Sequence, residues 1–245
     1  MNPNNPTLVP SSRNSQARSR LLPFTASRAG KLAACLILGV AALAPSALSQ
    51  PPSYATAALA DHPVAFWQLN EATGATTAID SSPHGLNGTY GATAIIGSAY
   101  APYSPYLGFA NNQMALECTA GDLTSAVTLP ALSLDTNTVT IAMWINPGAT
   151  EVTFTGLLMN RAAGGDAAGF GFGGTTNSAG MPALGYTWNT NNAATYNFNS
   201  ALFPVPYTWQ FAALVVQSNS ATIYLYYVDT LGNTNRFCIG RPRSK

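Results

Sequence analysis

The chain has 245 residues, 47% of them apolar and only 8% charged, with 21 glycines and 17 prolines. Its formal charge of +1, from 10 bases and 9 acids, supplies no field strong enough to hold a nucleic acid. The uncharged polar residues are mostly Thr, Ser, Asn and Gln, a mixture suited to short strands punctuated by turns in one large all-β domain.

The first 49 residues read as a secretory signal. Arg13, Arg18, Arg20, Arg28 and Lys31 form a basic leader without acids, Leu32 to Ala44 is a short apolar run, and Ala47 and Ser49 place small residues at the −3 and −1 positions before Gln50. A membrane-spanning helix needs about 20 apolar residues, so no stable span is expected once the signal is removed. "LAAC" at Leu32–Cys35 matches a lipoprotein cleavage box, but it opens the apolar run where such a box follows it. Without the leader, five bases stand against nine acids, a charge of −4, and four of the five bases crowd the last ten residues. Nucleic acid is therefore excluded as a partner. Cys118 and Cys238 remain, as one disulfide or as two buried, unpaired thiols.

Residues 50–56 ("QPPSYAT") read as a linker, 57–240 as the folded domain and 241–245 as a basic tail. From Pro63 the apolar period is two. "PVAFWQLNE" sets Val64 and Phe66 against Ala65, Trp67 and Leu69. "TVTIAMWINP" puts Val139, Ile141, Met143 and Ile145 on one face and Ala142 and Trp144 on the other, and "ATIYLYYVD" places Ile223, Leu225 and Tyr227 opposite Tyr224 and Tyr226. "TWQFAALVVQ", 208–217, is apolar throughout, as a central strand covered on both faces would be. Turn-forming clusters separate these runs, and no helix is expected after the signal. The glycine-rich stretch from Ala162 to Gly180 resists assignment. The fold class is all-β, an antiparallel two-sheet sandwich or jelly roll.

The opening "YATAALADHPVAFWQLNEATGATTAIDSSPHGLNGTY" (Tyr54 to Tyr90), the later "VTIAMWINP" and the pair "TWQFAALVVQSNSATIYLYY" resemble the LamG-like jelly-roll domains of the concanavalin A-like lectin/glucanase superfamily. The resemblance runs from about residue 54 to 240 and implies a two-sheet jelly roll with Trp67, Trp144 and Trp209 in structural positions. The family closes on a Gly-x-Ile-Asp-Glu-type strand, whereas this chain stops at "FCIGRPRSK". The expectation is a jelly roll lacking its last strand, with an unpaired edge.

The resemblance also implies a role in recognition. Some superfamily members bind calcium at loop sites, which makes Glu71 and Asp80 candidate ligands for a Ca2+ cofactor. The plainer reading of Asp80 is an Asx-turn onto Ser82, with Gly85 and Gly88 supplying positive φ. His84 and His62 lie far apart in sequence, without the further ligands zinc needs. A glucanase would carry Glu-x-Asp-x-x-Glu, because double displacement needs two carboxyls about 5 Å apart. Glu71, Glu117 and Glu151 each stand without an acid within four residues, so no catalytic residue is expected. "GYTWNTNNAATYNFN" (185–199) combines Tyr186, Trp188 and Tyr196 with Asn189 and Asn191, a composition suited to stacking on the apolar face of a sugar. A core strand would show the same aromatics. The expected partner is a glycan, with an extracellular or cell-surface protein as the alternative.

Overall fold

The computed structural model describes residues 52–100, 105–106, 108–110, 112–132, 138–149, 151–161, 167–187 and 198–242. The chain divides into two units, Met1–Leu48 and Ser49–Lys245, and the described residues all lie in the second. Their elements, in order, are a short helix α1 (Tyr54–Ala60) and strands β1 (Thr77–Ala78), β2 (Gly88–Tyr90), β3 (Ile95–Tyr100), β4 (Met114–Glu117), β5 (Val127–Thr128), β6 (Val139–Ile145), β7 (Gly156–Arg161), β8 (Ala167–Thr176), β9 (Pro182–Thr187), β10 (Phe198–Asn199), β11 (Gln210–Val216), β12 (Ser220–Val228) and β13 (Thr234–Pro242). No described helix is long and apolar enough to cross a membrane.

All strand pairs are antiparallel, and two four-stranded sheets carry the fold, ordered β13-β12-β11-β6 and β10-β9-β8-β7. Their facing sides make one apolar core. The first sheet contributes Val139, Ile141, Met143 and Ile145 from β6, Ala212, Leu214 and Val216 from β11, and Ala221, Ile223 and Leu225 from β12. The second contributes Leu157, Phe170, Phe172, Leu184 and Tyr186. The chain is thus an all-β sandwich, and the alternation in β6 and β12 falls on the faces that the sequence predicts. A smaller sheet, β1-β2-β5, and the hairpin β3-β4 carry a second cluster in which Ala78, Tyr90 and Ile96 are buried against Trp67 and Leu69.

Gln210 is a large polar side chain with no exposed surface. Its Oε1 accepts from Val205 N at 2.9 Å, and its Nε2 donates to the carbonyls of Val205 at 2.8 Å and Thr208 at 3.1 Å. The buried amide is therefore satisfied, and it fixes the loop entering β11.

Three expectations need correction, and the unassigned glycine-rich stretch takes a definite form. Residues 53–60 are a capped helix where a linker and no helix were expected: Ser53 Oγ accepts from Thr56 N at 3.1 Å, and alanine fills the short turn that follows. "PVAFWQLNE" makes a single bridge, Trp67 to Asp80, and no strand. Its Phe66 N–H goes to the Asp80 carboxylate, and Leu69 adopts φ 52°, which breaks extended pairing. The glycine-rich stretch contains β8, whose Phe170 and Phe172 enter the core. A Cβ on Gly169 would lie 2.2 Å from Leu158 O, and one on Gly171 2.5 Å from Thr155 O, so glycine there lets β7 approach. Finally, Cys118 and Cys238 are free and exposed, neither bonded to each other nor buried.

Leu214 sits in the middle of β11, fully buried between Ile141 and Ile223 in register. Leu214→Ala is expected to lower the unfolding free energy by about 2–5 kcal/mol, measured by denaturant titration.

Candidate functional site

The loop from Phe66 to Tyr90 is organised by two carboxylates. Asp80, 6% exposed, accepts at one oxygen from Phe66 N at 2.8 Å and Ser82 N at 2.9 Å, and at the other from Ser82 Oγ and Leu86 N, both at 2.8 Å. Its own N–H donates to Asn87 Oδ1 at 2.9 Å. Burial pushes the Asp80 carboxyl up, but the bonds from Phe66, Ser82 and Leu86 together outweigh it and hold the group below the usual carboxylate range. Glu71 accepts from Ile79 N at 2.8 Å and from the Tyr90 hydroxyl. Burial first, and then Glu71, push that hydroxyl well above its ordinary value.

The two proposed calcium ligands are thus spent on different protein donors. Among the described residues no three of His, Cys, Asp and Glu cluster as a metal would need. The Asx-turn reading describes Asp80. Gly85 supplies positive φ at 66°, whereas Gly88 does not: it lies in β2, where a Cβ would meet Val127 Cγ1 at 2.7 Å. His84 is an exposed loop residue beside Ser82 Oγ at 3.3 Å, and His62 is exposed elsewhere, at φ 51°. Cys118 is exposed, yet burial on one side and then Glu117 push its thiol up.

Of the five residues in the expected sugar platform, Trp188, Asn189, Asn191 and Tyr196 lie outside the described residues. Tyr186 is 6% exposed within the core, paired with Phe170 and Phe198. Its ring therefore fills the sandwich and offers no platform face.

A described surface that can take a ligand lies elsewhere, on the outer face of the β13-β12-β11-β6 sheet. Register places Trp144, Phe211, Tyr226 and Arg236 in one row across four strands, and Ala142, Ala213, Tyr224 and Cys238 in the next. Small Ala213 makes a floor between larger neighbours, and the result is an open trough of about 410 Å³ lined by Phe211, Ala213, Tyr224, Tyr226, Arg236 and Phe237. Tyr224 and Phe237 are each 43% exposed. The Arg236 guanidinium carbon stands 5.7 Å from the Tyr226 ring centroid, within cation–π range.

One end of the aromatic row is roofed. Tyr106 meets Trp144 edge-on at 4.5 Å and Tyr226 at 6.0 Å, while Phe109 meets Trp144 at 5.5 Å and stacks on Tyr54 at 4.6 Å. Burial pushes the Tyr106 hydroxyl up, and it donates to Trp209 O while accepting from Val228 N, each at 2.8 Å. Tyr106 is thus a buried clasp on the sheet. The central strand β11 is apolar on both sides because one face is core and the other is the trough, which no second layer among the described residues covers over Phe211 and Ala213.

Asp80→Asn removes a carboxylate held below its ordinary range. Its contribution to stability is complete above about pH 4 and is lost as pH falls through the folded-state value. The variant is expected to be less stable than the parent at pH 7, with the difference shrinking below pH 4 in thermal melts across pH.

Residues 120–229 match the family described as the concanavalin A-like lectin/glucanases superfamily. No curated protein and no solved structure matches the chain. The matched segment runs from just ahead of β5 to the end of β12 and so contains both large sheets except β13. The described strands form an all-β sandwich, and its segment 120–229, a little under half of the chain, is similar to the concanavalin A-like lectin/glucanases superfamily, in its laminin G branch.

Proposed function

We propose that this domain is exported and binds a glycan without reacting with it, using the outer-face trough. The observation that carries the reading is the half-open aromatic row ending in a cation. Phe211, Tyr224 and Tyr226 surround an alanine floor, and Arg236 stands at the rim. Sugar rings present apolar C–H faces that stack on such rings, while phenol hydroxyls and a guanidinium can meet their hydroxyl or carboxylate groups. The superfamily name covers lectins and glucanases alike, but the trough lining includes no acid. Of the candidate acids, Glu71 accepts from Ile79 and Tyr90, Asp80 from Phe66, Ser82 and Leu86, and Glu151 from Gly148 N at 2.8 Å. Hydrolysis by a carboxyl pair has no support there.

The second reading is an adhesion module that binds a cell-surface protein. It is favoured by the nearly apolar lining and by the exposure of Phe237, either of which could receive an apolar side chain.

A glycan array of neutral and acidic saccharides, probed with the purified protein, separates the two. The expected result is binding weakened at least about tenfold by Tyr226→Ala, with Arg236→Ala lowering acidic glycans more than neutral ones and Trp188→Ala leaving the signal in place. Loss with Trp188→Ala alone moves the site to the 185–199 segment. Silence across the array, together with capture of a defined surface protein that Tyr226→Ala abolishes, favours the adhesion module.

A further inference from the structure

Strand β13 is the outer strand of its sheet. It pairs with β12 along its whole length without a bulge, and among the described residues no strand pairs its other side. Asp229 N donates to Asn233 O at 3.0 Å where β12 turns into β13, and bonded pairs alternate with non-bonded pairs from that point. Tyr227–Asn235, Leu225–Phe237 and Ile223–Ile239 are therefore the bonded pairs. The preceding hairpin agrees: Gln217 N donates to Ser220 O at 2.8 Å, which turns the even-numbered residues of β12 toward β11 and leaves the odd ones for β13. It follows that the N–H and C=O groups of Arg236, Cys238 and Gly240 point away from the sheet. A long, regular strand with its main chain open in this way is a template for another strand.

We propose that the occupant is a second copy of this chain, docked antiparallel along β13 with a two-fold axis at Cys238, so that the two sheets join into one. The side chains select that register. It sets Arg236 of one copy opposite Gly240 of the other, where no side chain competes for space. It sets exposed Phe237 opposite Ile239, which already packs against the core. An axis at Arg236 would face that cation with its own copy, which is unfavourable, and an axis at Gly240 would pair only Cys238 to Pro242. Pro242, without an N–H, closes the ladder.

Such pairing forms about six main-chain hydrogen bonds and buries less than about 1,000 Å². The dimer is accordingly weak and concentration-dependent, in the micromolar range or above. The inference does not rest on the glycan reading, although both troughs would lie on one continuous face.

Cys238, exposed at the axis, serves as reporter, since opposed residues of a bonded pair lie about 5.5 Å apart at Cα. A short bis-maleimide is expected to yield a covalent dimer from the purified protein and from Cys118→Ser, and none from Cys238→Ser. Sedimentation equilibrium of the untreated protein is expected to show a monomer–dimer equilibrium that Cys238→Ser preserves. Cys238→Arg, which opposes two cations on the axis, should weaken it at least about tenfold without changing the melting temperature. Cys238→Pro removes an outward N–H that β12 does not use and should give the same loss. Protein that stays monomeric to about 1 mM, a cross-link that survives Cys238→Ser, or a dimer indifferent to both Cys238→Arg and Cys238→Pro overturns the proposal.

Discussion

Everything in this domain depends on the two-residue period of three adjacent strands, β6, β11 and β12. A strand alternates its side chains between faces, so a single register decides both what is buried and what is offered. In these strands one parity, from Ile141, Leu214 and Ile223, closes the sandwich. The other parity, from Trp144, Phe211 and Tyr226, makes the aromatic row of the outer face. A slip of one residue in β11 would exchange the two sets. Core burial thus enforces the geometry of the trough, because the apolar inner set penalises any register that would scatter the rings.

The outer row is aromatic from Trp144 to Tyr226, yet only part of it is open. Trp144 is covered by Tyr54, Tyr106 and Phe109, rings that lie far earlier in the chain. Tyr106 bonds both the Trp209 carbonyl and the Val228 N–H, the flanks of β11 and β12, so this cover is tied to the main chain of the sheet as well as to its rings. The row consequently has a fixed end and a free end. Arg236, on the edge strand, stands at the free one. The Trp144 Nε1 is buried without a hydrogen-bond partner, and the Tyr54 hydroxyl, which burial pushes up, is drawn partly back by Trp144.

Much of the fold was legible because it is local. The alternation in "TVTIAMWINP" and "ATIYLYYVD" names the buried residues of β6 and β12 correctly, and the Asp80 turn follows from Asp, Ser, Pro and Gly side by side. The failures have physical causes of their own. "PVAFWQLNE" has the period of a strand, but a side-chain carboxylate takes the Phe66 amide and Leu69 turns to positive φ. The glycines of β8 look like a loop until the backbone of β7 is seen within reach of their absent Cβ atoms. The trough could not be read at all, since it depends on which residue of β11 lies beside which residue of β12 and β13, and register between strands leaves no trace within any one of them.

The division of parity also separates stability from recognition. Residues of the inner set contact both sheets, so trimming them leaves a cavity that the packed sandwich cannot relax to fill. Tyr224, of the outer set, remains 43% exposed, and solvent takes the place of whatever is removed from it. The rim of the trough is therefore free to vary in chemistry while the strands beneath it hold their register. The floor is not: Ala213 is 5% exposed, and a larger residue there would fill the trough without touching the core. That position sets the depth of the site, and the surrounding rings set what can lie in it.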